Sequence, residues 1–122
     1  MYSPQLLEHF QNPRNPGEVE QASATAELEN PACGDILRLS ARVEAGKIAR
    51  LRFKAKGCVP AMACGSALTE LAQGLQIAEA RAITPADLER AVGGLPEASS
   101  HASALAVDTL RKLLNKLEGQ SS

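Results

Sequence analysis

The sequence predicts an α+β domain in which a small antiparallel sheet of about three strands packs against helices. The first observation behind this is a period of two. Leu37, Leu39, Ala41 and Val43 alternate with Arg38, Ser40, Arg42 and Glu44, and after Ala45-Gly46-Lys47 the alternation resumes with Ala49, Leu51, Phe53 and Ala55 against Arg50, Arg52, Lys54 and Lys56. Two half-buried strands joined by a glycine-containing turn make an antiparallel hairpin. The second is order, which runs helix, strands, then helices rather than strand and helix in alternation. The third is composition: with no Trp, one Tyr and two Phe, the core must be built from aliphatic side chains. A chain of 122 residues is long enough for one hydrophobic core without disulfide staples, so residues 1–122 are read as a single domain, with 119–122 expected to fray.

The elements follow in order. Ser3-Pro4 starts a helix, with Ser3 as N-cap and Pro4 at the first helical position, where its missing N–H costs nothing. Leu6, Leu7 and Phe10 share one face of it, Tyr2 is placed to staple onto Leu7, and His9 is read as a solvent-facing or capping histidine. Asn12-Pro13-Arg14-Asn15-Pro16-Gly17 ends the helix, and Ala24 to Glu29 is a strand candidate leading into the hairpin. The basic row on the outer face of that hairpin reads as a solvated sheet face. Gly57-Cys58 closes the second hairpin strand. Pro60 opens a helix to about Gln73, stopped by Gly74, and Gly65 within it suggests a close neighbour to the backbone. Leu75 to Ala82 is a short helix, Thr84-Pro85-Ala86-Asp87 caps another that ends at Gly93-Gly94, and 95–100 is a loop. The last helix begins near Ser100 and buries Leu105, Leu110, Leu113 and Leu117.

Charge and cysteine usage exclude several functions. Net charge is −1 with both signs interspersed, so neither nucleic acid nor a polyanion is an expected partner. No apolar run has the length of a signal peptide or membrane span, which makes the chain an expected cytoplasmic protein with no membrane partner. In such a reducing compartment three cysteines are not read as structural disulfides, so metal binding, chemistry or burial must account for each. A homo-oligomer is compatible with the sequence.

Four residues stand at junctions between loops and regular elements and form a candidate metal site: Cys33, Asp35, Cys58 and His101. Cys33 and Asp35 flank Gly34 in Pro31-Ala32-Cys33-Gly34-Asp35, so a thiol and a carboxylate can point into one small volume. Cys58 lies just before a helix N-terminus, where free N–H groups and the helix dipole favour a thiolate, the form that binds metal or attacks sulfur. Two thiolates, an imidazole and a carboxylate suit zinc, and thiolates suit iron held as a sulfide cluster. No C-x-x-C or H-x-x-x-H pair fixes a local chelate, and a set of unrelated small and polar loop residues is the alternative. Cys64, inside the second helix among Ala63, Ala67, Leu68 and Leu71, reads as a buried, inert thiol.

Taken in order, Tyr2-Ser3-Pro4 through Asn12-Pro13-Arg14-Asn15, Pro31-Ala32-Cys33-Gly34-Asp35, Gly57-Cys58 with the small-residue helix to Leu68-Thr69-Glu70, Leu95-Pro96 and His101 resemble the iron–sulfur cluster assembly scaffold family of IscU and the NifU N-terminal domain. The resemblance covers nearly the whole chain. It implies an α+β scaffold, not an enzyme in the strict sense, on which a cysteine desulfurase deposits sulfur and iron is added. A transient two-iron, two-sulfur cluster, or zinc, would be the bound group, and iron–sulfur client proteins the recipients. Carried across, Cys33 and Cys58 match ligand cysteines, His101 the ligand histidine, and Asp35 the carboxylate associated with cluster release. The family's third ligand cysteine directly follows the histidine, and here that position is Ala102. Its chaperone-recognition stretch, Leu-Pro-Pro-Val-Lys, is here Leu95-Pro96-Glu97-Ala98-Ser99. The resemblance also extends to the SufU branch, which implies persulfide transfer from the desulfurase, with Cys58 as the first acceptor to consider and Cys33 the second. A third reading is a diverged interaction module that carries no transferable metal.

Overall fold

A computed structural model describes residues 2–120. Helix α1 (Pro4–Gln11) is followed by strands β1 (Ala24–Asn30), β2 (Asp35–Glu44) and β3 (Lys47–Lys56), then by helices α2 (Val59–Ala72), α3 (Ile77–Arg81) and α4 (Pro85–Ala91), a 3-10 turn over Glu97–Ser99, and α5 (His101–Gln120). The strands form one antiparallel sheet in the order β1-β2-β3. The fold is therefore the expected α+β arrangement. Gly119 and Gln120 continue α5, and residues 121–122 of the stretch expected to fray lie outside the described residues. Among the described residues no helix is long and apolar enough to cross a membrane.

Local chemistry explains the boundaries. Ser3 Oγ accepts the Leu6 N–H at 3.0 Å and donates to the Val92 carbonyl, so one hydroxyl caps α1 and ties it to the end of α4. Thr84 and Asp87 form a reciprocal capping box at α4. Gly74, with φ +91°, takes the left-handed backbone that ends α2.

The inner face of the sheet carries Ala26, Leu37, Leu39, Ala41, Leu51 and Phe53, all buried. Strict alternation through Ala49 does not hold. Arg42 pairs with Arg50 while Val43 pairs with Ile48, so Ala49 is the extra residue of a bulge and Ile48 takes the inward place at full burial. Helix α2 is buried on nearly every side because Ala61, Ala63, Gly65, Ser66 and Ala67 let it lie close to the sheet and to its neighbouring helices. Gly65 meets the close neighbour its presence suggests: a β carbon there would come 2.7 Å from Phe53 Cδ2 and 3.2 Å from Leu37 Cδ1. Leu7, read as an apolar-face residue, and Leu71, read among the neighbours of buried Cys64, are each 37% exposed. Helix α5 covers the core with Leu105, Leu110, Leu113, Leu114 and Leu117. At the sheet's free edge Lys112 and Lys116 donate to the β1 carbonyls of Glu27 and Thr25.

Two further readings are corrected. His9 is neither solvent-facing nor a cap: it is 6% exposed and its Nδ1 lies 2.8 Å from Ser66 Oγ, with Nε2 3.7 Å from Glu70. It sits one turn beyond the apolar position Leu6, so it faces α2 along with the core stripe. Nor is the outer basic row simply solvated. Residues 15–17 bond to β3 through the N–H and carbonyl of Phe53, Val19 N–H donates to Ser40 Oγ, and Glu18 pairs with Arg38 at 2.9 Å and Lys54 at 3.8 Å. The polar connection after α1 is thus a strap across the wet face of the sheet.

Candidate metal centre

The antiparallel ladder brings the first residue of β2 beside the end of β3, and that register builds the site. Asp35 opens β2, Cys33 lies in the tight turn before it, Cys58 is the residue preceding α2, and His101 is the first residue of α5. Loop ends from three elements meet at one edge of the core, where the approaching side chains need no buried loop backbone.

Asp35 is the hub. It is 1% exposed, and its Oδ1 accepts the Cys58 N–H at 2.9 Å. Its Oδ2 accepts from the Cys58 thiol at 3.2 Å and lies 3.1 Å from His101 Nε2. Cys58 Sγ and His101 Nε2 are 3.9 Å apart. Cys33 Sγ, an Asp35 oxygen and a His101 nitrogen all lie within 4.8 Å of one another. Cys33 and Cys58 thus each lie beside the Asp35–His101 pair. Cys33 is exposed, Cys58 and His101 are partly buried, and Asp35 forms the floor.

The electrostatics of this cluster differ from the expectation for Cys58. Burial is the largest effect and raises its thiol above the ordinary value. The Ala61 N–H at the start of α2 pulls the other way, as the helix terminus should, but contact with the Asp35 carboxylate adds to the rise. For Asp35, burial acts upward, yet the Cys58 N–H, the Cys58 thiol and His101 together outweigh it and hold the carboxyl below the ordinary range. The protein thus keeps an anionic carboxylate and a protonated thiol in one hydrogen bond. Cys64 stays apart: it is fully buried in the apolar core, and burial pushes its thiol up to about 12. Ala102, next to His101, is 1% exposed and packs in the same core.

The donor set fits a soft or borderline metal: the Cys33 sulfur, a carboxylate oxygen and an imidazole nitrogen lie within mutual reach, and the Cys58 sulfur adjoins the last two, on a floor already shaped by hydrogen bonds. The arrangement is a candidate metal site, open to solvent on the Cys33 side. One participant carried little signal in the sequence. Gly57 reads there only as a strand end, although a glycine immediately before a functional cysteine is the type of residue that permits close backbone approach.

The NifU-like N terminal domain model matches residues 1–122. The chain is 41% identical over 114 residues to the iron–sulfur cluster assembly scaffold protein IscU 1 of Archaeoglobus fulgidus, covering 93% of this chain and 74% of that protein. It is 47% identical to the nitrogen fixation protein NifU of Cereibacter sphaeroides, covering 94% of this chain and 47% of that longer protein. Among solved structures, the N-terminal NifU-like protein from Brucella abortus superposes with a TM-score of 0.82 at 14% identity, over 97% of this chain and 94% of that one. At that identity the likeness speaks for the fold alone. By its sequence, over its whole length, the chain belongs to the NifU-like N-terminal domain family, the one its cysteine, aspartate and histidine motifs resemble.

Proposed function

We propose that this protein is a scaffold or carrier for iron–sulfur clusters, a binding protein whose cargo is assembled and then passed on. The observation that carries the reading is the convergence of Cys33, Asp35 and His101 within 4.8 Å, with Cys58 joined to two of them, in a member of this family. Cys33, Cys58 and His101 hold the cargo, and Asp35 is the fourth, exchangeable ligand. A two-iron, two-sulfur cluster is the cargo that suits two thiolates, and zinc suits the same four donors when no cluster is present. A hard carboxylate among softer donors favours release, because it binds iron less firmly than a thiolate would in its place. A cysteine desulfurase supplies the sulfur and iron–sulfur client proteins receive the product.

The chain's own residues do definite work in this scheme. Asp35 orients Cys58 by accepting from both its N–H and its thiol, and it orients His101 through Nε2. When cargo arrives, the Cys58 proton must leave and the Asp35–Cys58 thiol hydrogen bond opens, and Oδ2 is free to bind only once its contact with His101 Nε2 opens as well. The test is anaerobic reconstitution with a desulfurase, cysteine and iron, followed by absorption spectroscopy and metal analysis. A sulfide-to-iron absorption band that disappears in Cys33→Ala and Cys58→Ala supports the reading. A protein that acquires neither a cluster nor zinc refutes it.

A second reading, sulfur transfer, draws support from the exposure of Cys33. Here a thiolate of this protein attacks the outer sulfur of the desulfurase persulfide. A new S–S bond forms, the old one breaks, and the desulfurase leaves as its thiolate. Cys58 is the acceptor its helix-start position suggests, whereas its burial against Asp35 moves the balance toward exposed Cys33. Mass spectrometry after reaction with the desulfurase and cysteine reads which thiol gains sulfur, and absence of added sulfur from both rejects transfer.

A further inference from the structure

Gly57 faces Asp35 one step beyond the Ile36 to Lys56 pair that ends the β2–β3 ladder. Its φ of +139° lies in the region that side chains other than glycine's avoid. Conformation is only part of the requirement. A β carbon at this position would fall 2.1 Å from Asp35 Oδ1 and 2.9 Å from Asp35 Cα and Cγ. The carboxylate rests on bare backbone, in the volume that a methyl group would fill. Gly34, on the other side of Asp35, offers a contrast: its φ is +73°, but a β carbon there would meet nothing within 4 Å. One glycine serves the turn, and the other provides space for a side chain.

We infer that Gly57 is a positioning residue for Asp35: its missing β carbon is the cradle that holds the carboxylate where Oδ1 meets the Cys58 N–H and Oδ2 meets both the Cys58 thiol and His101. A side chain at position 57 forces the carboxylate back by roughly 1 Å, enough to carry a 2.9 Å bond beyond hydrogen-bond range. Asp35 is buried, so it has no solvent-side alternative that keeps these contacts. The consequence for cargo rests on the metal-binding reading above, while the steric relation between the two residues stands independently of it.

The experiment compares the wild type, Gly57→Ala, Asp35→Ala and the double variant by thermal unfolding and by titration with Co(II), read through its thiolate charge-transfer absorption. Gly57→Ala is expected to bind Co(II) roughly 10- to 100-fold more weakly, the range seen when a group that orients metal ligands is lost. In the Asp35→Ala background the same change should cost little further affinity, and the fall in melting temperature should be smaller than in the wild-type background, because the carboxylate is gone and only the contact with the residue-35 Cα and the φ strain remain. Should Gly57→Ala fail to fold, the double variant is expected to fold. Equal losses in both backgrounds, or a double variant that also fails to fold, would overturn the inference and place the effect in the backbone of the β3–α2 junction. A wild type that gives no Co(II) spectrum sinks the metal reading instead, and the melting temperatures of the four proteins still decide the steric relation.

Discussion

Asp35 and Cys58 are joined twice, once through the Cys58 N–H at 2.9 Å and once through its thiol at 3.2 Å, so a single carboxylate sets both the backbone and the side chain of the cysteine. This bond pattern makes Asp35 both a candidate ligand and the organiser of the others. Removing it should act on metal affinity and on stability together.

Asp35→Ala is therefore expected to weaken Zn²⁺ or Co²⁺ binding by roughly 10- to 100-fold. It also leaves the Cys58 N–H and His101 without their acceptor, which should lower stability by about 1 to 3 kcal/mol. Competition with a chelator and urea denaturation measure the two effects. Unchanged affinity would remove Asp35 from the site.

The three thiols should separate by reactivity. Cys33 is exposed, Cys58 half-buried and hydrogen-bonded, and Cys64 enclosed with its thiol at about 12. In the metal-free protein at neutral pH, alkylation followed by mass spectrometry should label Cys33 first, Cys58 more slowly, and Cys64 only on unfolding. Cys64→Ala should leave metal binding unchanged and cost about 1 kcal/mol of packing. Loss of binding in that variant would show that α2 presents Cys64 to the site.

Gly65→Ala tests the contact between α2 and the sheet. The added methyl improves helix propensity by up to about 1 kcal/mol. It also meets the buried Phe53 ring at 2.7 Å and Leu37 at 3.2 Å. Overpacking costs of about 1 to 3 kcal/mol should prevail, giving a net destabilisation in denaturant melts. A stabilised variant would mean that the ring can move aside.

Stability should fall on mild acidification through His9. Burial is the main reason its pKa lies below the ordinary 6.5, the Arg14 charge adds to the depression, and Glu70 and Glu8 oppose it. The unfolded chain takes up the proton first as pH drops, so this contribution is full above about pH 6.5 and is lost between that value and the lower folded one. Denaturant unfolding across this window should give a flatter profile in His9→Gln than in the wild type. Identical profiles would show that His9 stays in one protonation state.

Much of this molecule is legible along the chain because the deciding physics is local. Alternation in Leu37–Val43 and Leu51–Ala55 announces the hairpin, and Ser3-Pro4 and Thr84-Pro85-Ala86-Asp87 announce two helix starts through their own hydrogen bonds. The four candidate site residues stand out chiefly through the family resemblance of their motifs, since Asp and His at loop ends also serve as ordinary caps and turn residues. What the sequence does not contain is any relation between residues that are distant along it. The bulge at Ala49 that turns Ile48 inward depends on how β2 and β3 slide against each other. The burial of His9 depends on Ser66, which lies 57 positions away. The direction of the Cys58 shift is a contest between a local helix terminus, which can be read from the chain, and burial against Asp35, which cannot. The meeting of Asp35 with His101 across 66 positions exists only once α5 docks on the sheet, because a charge or a void is felt through space and not along the backbone.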